Sequence, residues 1–321
     1  MTRILSIQSH VVSGYVGNRA ATFPLQLLGH EVDVINTVQF SNHTAYNAVR
    51  GDRFAASHIL DLFAGLQANA LDRGYTHLLT GYMGNSENVR AVESVARQLK
   101  RTNPQLTFVV DPVLGDDGAL YVPEELVALY RDVLCPLAAL ATPNQFEAEL
   151  LTGVSIASLD DAKRACDELH RIGVPGVVIT SASLAADSDP DSTALHLIGS
   201  ELCPRTGAKH QFAIRFPRLP GYYTGTGDLF AALLLAHHAS QAPLFTKPGA
   251  LARACELATA TLAGVMNATY EHQISTGVAV APGLSRGQRP SEMVRGFELR
   301  IVPSRHLIAS PLASFQAFSI C

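Results

Sequence analysis

The stretch Tyr223-Thr224-Gly225-Thr226-Gly227-Asp228 leads directly into an apolar run over residues 229–235. Glycines let the backbone approach a ligand closely, and the free N–H groups opening the next helix favour an anion through hydrogen bonds and the helix dipole. An acid beside such a cradle suits phosphoryl transfer, which needs a hydroxyl positioned, its proton accepted and charge on the phosphoryl oxygens neutralised. Asp228 is read either as that base or as a plain N-cap, the commonest role of an aspartate before an apolar helix. A second constellation, Asp111-Pro112-Val113-Leu114-Gly115-Asp116-Asp117-Gly118, leaves an apolar strand. Magnesium takes one or two carboxylates plus substrate phosphates, so Asp111 and Asp116 are candidate holders, against the simpler reading of a solvated Asp/Gly turn. In a third, Thr142-Pro143-Asn144-Gln145-Phe146-Glu147, Asn144 and Glu147 have the spacing of a capping box, which accounts for both without any ligand.

Other chemistries find little support. The 12 histidines are scattered, and His237-His238 point apart on a helix, unlike the i, i+4 pair of a zinc site. No Walker loop, G-x-S-x-G elbow or dinucleotide fingerprint is present, and Gly14-Tyr15-Val16-Gly17 has the wrong glycine spacing. Lys and Arg number 24 against 28 Asp and Glu, a balance of −4 that argues against nucleic acid as a partner. The 5 cysteines are widely spaced without a C-x-x-C pair, which reads as reduced, intracellular usage. No run of about eighteen apolar residues is present, so no membrane partner is expected and a cytoplasmic location is.

These residues need a frame to hold them. Apolar runs at 4–7, 32–35, 77–80, 107–110, 139–141 and 177–180 alternate with helical periodicity over 18–28, 58–71, 87–100, 123–132, 145–151 and 159–172. Continuous apolar runs suit strands covered on both faces, so the expectation is a three-layer α/β/α fold around a mostly parallel sheet. From Thr193 the pattern changes: 193–198 and 211–216 read as an antiparallel edge, 186–192 as a turn-rich loop, and 228–238 and 248–269 as long helices. No linker divides the 321 residues, which are read as one domain, 1–321, with a loosely held tail from about 303. In open α/β sheets ligands bind beyond the carboxyl ends of the strands. There lie Ser9, Thr44, Gly81-Tyr82, Asp111, Thr142-Pro143-Asn144 and Thr180-Ser181.

With those motifs in place, the chain resembles the pyridoxal kinases of the ribokinase-like superfamily from about residue 3 to about residue 302. The most specific segments are Ser6-Ile7-Gln8-Ser9-His10-Val11, residues 14–26, and Val38-Gln39-Phe40-Ser41-Asn42-His43-Thr44. Leu79-Thr80-Gly81-Tyr82, the Asp111 and Asn144 motifs, and Gly225-Thr226-Gly227-Asp228-Leu229-Phe230 follow in family order. The resemblance implies phosphorylation by ATP of the 5'-hydroxymethyl group of pyridoxal, pyridoxine or pyridoxamine, and a homodimer. It makes Asp228 the base for that hydroxyl and the amides of Gly225, Thr226 and Gly227 the cradle of the transferring group. Ser9 and Thr44 become polar contacts to the pyridine ring, with Val16, His43 and Tyr82 shaping the pocket. Asp116, Asn144, Glu147, Thr180, Ser181 and Thr226 are assigned to the phosphates and their Mg²⁺. Asp111 and Thr142 lie near a monovalent cation, K⁺ or Na⁺, and Leu219-Pro220-Gly221 borders the adenosine. Two departures stand out. Only Asp117-Gly118-Ala119-Leu120 separates Asp116 from Tyr121, which implies a shorter flap over ATP and leaves the role of Tyr121 open, and Tyr223-Thr224 replaces an apolar Phe-Val pair.

Other assignments compete with that one. Within the superfamily, the acceptor could instead be hydroxymethylpyrimidine or a sugar. Outside it, a non-catalytic B6-binding protein would retain the pocket without the transfer chemistry.

Overall fold

In the computed structural model, residues 2–184, 194–203, 206–240, 249–278 and 288–320 are described. The expected loop at 186–192 and the expected helix start at Pro248 lie outside them. A 10-stranded sheet runs through the molecule. Its parallel centre is β8 (Leu140–Ala141), β5 (Thr107–Val110), β4 (His77–Thr80), β1 (Arg3–Val11) and β2 (Glu31–Phe40), in that spatial order. Beyond β8 lie β9 (Gly176–Ala182), parallel to it, and then β10 (Ala194–Leu202), β11 (Lys209–Pro217) and β12 (Phe318–Ser319), all antiparallel. The opposite edge is closed by β3 (Gly51–Arg53), antiparallel to β2, which the sequence patterning did not indicate. A three-residue strand with every residue exposed carries no hydrophobic period to detect.

The continuous apolar runs are continuous because both faces of the sheet are covered. Leu5, Leu78, Phe108, Val177 and Ile179 face one core. That core is shared with α2 (Ala56–Ala68), α3 (Ser86–Thr102), α4 (Glu125–Leu129), α5 (Gln145–Thr152) and α6 (Leu159–Ile172). Their neighbours Ile4, Leu79, Val109, Leu140 and Val178 face a second core under α1 (Asn18–Leu27), α7 (Thr226–Ala239) and α8 (Ala250–Ser275). Helix α7 is buried along most of its length, from Leu229 to His238, which explains why its sequence is apolar all round instead of amphipathic.

Two local devices aim the strand ends. Ser6 Oγ donates to Asn18 Oδ1 at 2.7 Å, and Asn18 Nδ2 donates to Asn36 Oδ1 at 2.8 Å and to the Ile35 carbonyl at 3.2 Å, fixing the start of α1 against β1 and β2. Asn144 and Glu147 form the expected capping box at the start of α5. The acidic turn after β5 becomes a hairpin of β6 (Gly115–Asp116) and β7 (Ala119–Leu120), with Asp117 and Gly118 in the left-handed region at its tip. The carboxyl-terminal stretch from about 303, expected to be loosely held, is tied down. It forms α10 (Arg305–Ala309), Ala317 N donates to Glu256 Oε1 at 2.9 Å, and β12 pairs with β11. Phe315 and Ala317 pack on the second core, which supplies apolar contact where the sequence shows only scattered hydrophobic residues. No helix among the described residues is long and apolar enough to cross a membrane.

Candidate active site

Gly225 is the N-cap of α7, with φ +87°, and a Cβ there would run into the Tyr15 carbonyl oxygen. Only glycine makes this turn at this approach. The first amides of α7, from Thr226 to Asp228, have no carbonyl one turn back, and Thr226 and Gly227 line a cavity of about 490 Å³. Asp228 keeps a solvent-facing edge, but burial by the protein around it raises its carboxyl above the ordinary range, while the Gly17 backbone pulls the other way. Gly17 is itself the N-cap of α1, with φ +50°, and a Cβ on it would strike Ser9. Both helices that open towards the acid therefore start on glycines.

Asp111 and Glu147 form an acidic floor beside this corner, each 5 % exposed. Thr142 Oγ1 donates to Asp111 Oδ1 at 3.3 Å. Burial, then the charges of Glu147 and Asp228, push the Asp111 carboxyl well above its usual range. Glu147 is raised by burial, against three backbone donors: Leu114 N at 2.9 Å and Gly115 N at 3.3 Å to Oε1, and Asn144 N at 2.9 Å to Oε2. None of the three acids has a basic partner within ion-pairing distance among the described residues. Buried like charges without a partner suit a bound cation. No group of three or more His, Cys, Asp and Glu among the described residues is placed to hold a metal ion by itself.

The cavity brings together Asp116, Thr180, Ser181, Leu219, Gly221 and Thr226 of the expected nucleotide residues. Asn144, Glu147, Pro220 and Tyr121 stand behind or beside its wall. Asn144 Nδ2 holds the Gly115 carbonyl at 2.8 Å, the Pro220 carbonyl accepts from Tyr223 OH at 2.9 Å, and the Tyr121 and Tyr222 hydroxyls meet at 3.3 Å. The sequence patterning missed the apolar wall of Phe146, Phe216, Phe230, Leu262 and Met266, and also Arg218. Leu262 and Met266 sit at helical spacing on α8, so they read as core, and only the sheet edge opposite turns that stripe into a cavity wall.

The expected vitamin-side residues lie off this cavity. Val16 and Tyr82 share a small apolar cluster with Val11, Val38 and Phe40. Tyr82 is fixed at both ends: its hydroxyl accepts from Arg53 Nη1 at 2.8 Å and its carbonyl from Thr37 Oγ1 at 2.7 Å. Ser9 is buried against Gly17, His43 is buried, and Thr44 is exposed on the next turn.

The chain is similar to known proteins over almost its whole length. The family model described as phosphomethylpyrimidine kinase matches residues 32–275. The chain is 43 % identical over 315 residues to the pyridoxal kinase of Arabidopsis thaliana, covering 98 % of this chain and 94 % of the relative. It is 42 % identical over 322 residues to that of Homo sapiens, covering 98 % and 97 %. A solved pyridoxal kinase from Leishmania donovani, in complex with ADP and pyridoxamine, superposes with a TM-score of 0.85 at 35 % identity over 100 % of both chains. The sheet and the glycine-started helix at its rim thus define a ribokinase-like phosphotransferase with an alcohol acceptor. More narrowly, the chain belongs to the pyridoxal kinase family.

Proposed function

We propose that this protein phosphorylates B6 vitamers, moving the terminal phosphoryl group of ATP onto the 5'-hydroxymethyl oxygen of pyridoxal, pyridoxine and pyridoxamine. The observation that carries the reading is the position of Asp228 at the free amides of α7, where the nucleotide cavity ends and the Val16–Tyr82 side begins. ATP lies in the cavity with its adenosine along Leu219-Pro220-Gly221, and its phosphates run past Asp116, Thr180 and Ser181 to Thr226. The vitamer ring rests against Val16, His43 and Tyr82, whose flat ring face suits stacking, with Ser9 and Thr44 as polar contacts. The hydroxymethyl oxygen bonds to the γ-phosphorus, its proton passes to Asp228, and the bond to the β-phosphate oxygen breaks to release ADP. The amides of Gly225, Thr226 and Gly227 bind the equatorial oxygens as charge gathers on them.

Asp116, Asn144 and Glu147 would hold Mg²⁺ together with the phosphates, with Glu147 itself oriented by the backbone N–H groups it accepts. Asp111 and Thr142 would hold a monovalent cation, K⁺ or Na⁺. Bound there, the cations supply positive charge against the phosphates and the buried acids. The deciding experiment is incubation with MgATP and pyridoxal, followed by detection of the 5'-phosphate. Hydroxymethylpyrimidine runs in parallel because of the family model matched, and ribose as the sugar control. Preferred turnover of either would overturn the vitamer assignment. A homodimer is proposed as well: sedimentation should give twice the 34.3 kDa chain mass, and a single-chain mass at assay concentration would reject it.

A further inference from the structure

We infer that Glu298 is a positioning residue for the vitamer side of the site, an inference that rests on the proposed reading of that side. Glu298 follows α9 (Ser291–Gly296), and only 15 % of its side chain is exposed. Its Oε1 accepts from Tyr46 OH at 3.0 Å and lies 2.9 Å from His43 Nε2, while Oε2 accepts from Tyr15 N at 3.2 Å. Ala45 N donates to His43 Nδ1 at 3.4 Å, so the ring proton sits on Nε2 and points at Glu298. One carboxylate from the far end of the chain thus sets the tautomer and orientation of His43 and anchors the turns on either side of the vitamer. Gly14, at φ +97°, makes room for it, since a Cβ there would stand 2.6 Å from Glu298 Oε1.

The link to the transfer machinery is Tyr15. Its N–H is held by Glu298, and its carbonyl is the atom that a Cβ on Gly225 would strike. The neighbouring Phe297 packs edge-on against Tyr223, ring centres 5.2 Å apart, and fills the space over Gly221. Residues 297 and 298 therefore touch the two flanks separately: Phe297 backs the nucleotide wall and Glu298 the vitamer turns. Altering only the carboxylate leaves the Phe297 contacts with the nucleotide wall in place and reaches the Gly225 turn only through Tyr15.

Glu298→Gln retains one carbonyl acceptor, and its amide group must face at least one of the three donors. The KM for pyridoxal should rise about tenfold, since hydrogen bonds to a charged group are lost. The KM for ATP should stay within about twofold, and kcat should fall less than kcat/KM. Tyr46→Phe, which removes one partner and leaves the backbone unchanged, should raise the same KM about threefold. The double variant should cost less than the product of the two. An unchanged pyridoxal KM in Tyr46→Phe and, where it folds, Glu298→Gln overturns the inference. So does a parallel rise in both KM values, which would mark Glu298 as a structural brace. The wild-type arm is independent of Glu298: a folded wild type that leaves pyridoxal unphosphorylated overturns the functional reading itself.

Discussion

Asp228 shows how far residue type and spacing reach. An aspartate after two glycines and before an apolar run is legible as an acid at a helix start, but the sequence leaves base and N-cap open. In the structure no side-chain cap bond forms at the start of α7, and the N-cap is Gly225, three residues earlier. The carboxylate instead stays beside the free amides, where the Gly17 backbone favours its charged form. Asp228→Asn should therefore keep pyridoxal and ATP binding while lowering kcat by about 100-fold or more, the scale of a lost general base. Steady-state kinetics with a binding titration checks this, and near-wild-type kcat would reject Asp228 as the base. Glu298 was not legible at this scale. It lies 283 residues from Tyr15 and 252 from Tyr46, and a lone glutamate near the end of a chain has no pattern to distinguish it.

Elements were legible where their period is long. Helix α6 spans Leu159–Ile172 with the boundaries expected from its pattern, because Ser158 caps one end and Gly173 closes the other in the left-handed region. Short pieces were not: β3, α9 and α10 hold too few residues to show periodicity. The capping box of α5 was legible, but its tertiary use was not. Asn144 caps the helix through Glu147 N at 2.9 Å and also holds the Gly115 carbonyl, tying α5 to the hairpin at the cavity rim. Asn144→Ala should cost about 1–2 kcal/mol of stability from the lost cap and hairpin bond. Denaturant unfolding measures it, and a change within about 0.5 kcal/mol, as for an ordinary surface substitution, would rule out that double role.

At the scale of the whole molecule the buried acids act together. Burial of both acids, with the charges of Glu147 and Asp228 acting on Asp111 and that of Asp116 on Glu147, holds them above the usual carboxylate range, so the folded protein binds protons there more readily than the unfolded chain. Their contribution to stability is present at low pH and is lost as pH rises through their folded-state values. On the proposed reading, cations bound at these acids would compete with those protons. Mg²⁺ with nucleotide, or K⁺, should therefore stabilise the fold more at pH 8 than at pH 6, by a free energy approaching about 2.7 kcal/mol at about 100 times Kd, read as a higher melting temperature. Asp111→Asn should melt higher than wild type without cations and lose most of the increment with them. Thermal unfolding across pH checks this, and a pH-independent increment would refute cation binding at these acids. The sequence by itself determined the three-layer class, the order of the main strands and helices, and the glycine and acid motifs, because side-chain periodicity and backbone freedom are local properties. Which strand ends share a rim, which apolar stripe lines a cavity, and which distant carboxylate orients His43 were decided only by tertiary structure. Such neighbours meet through packing and burial, whose energies depend on distance in space and leave no regular interval along the chain.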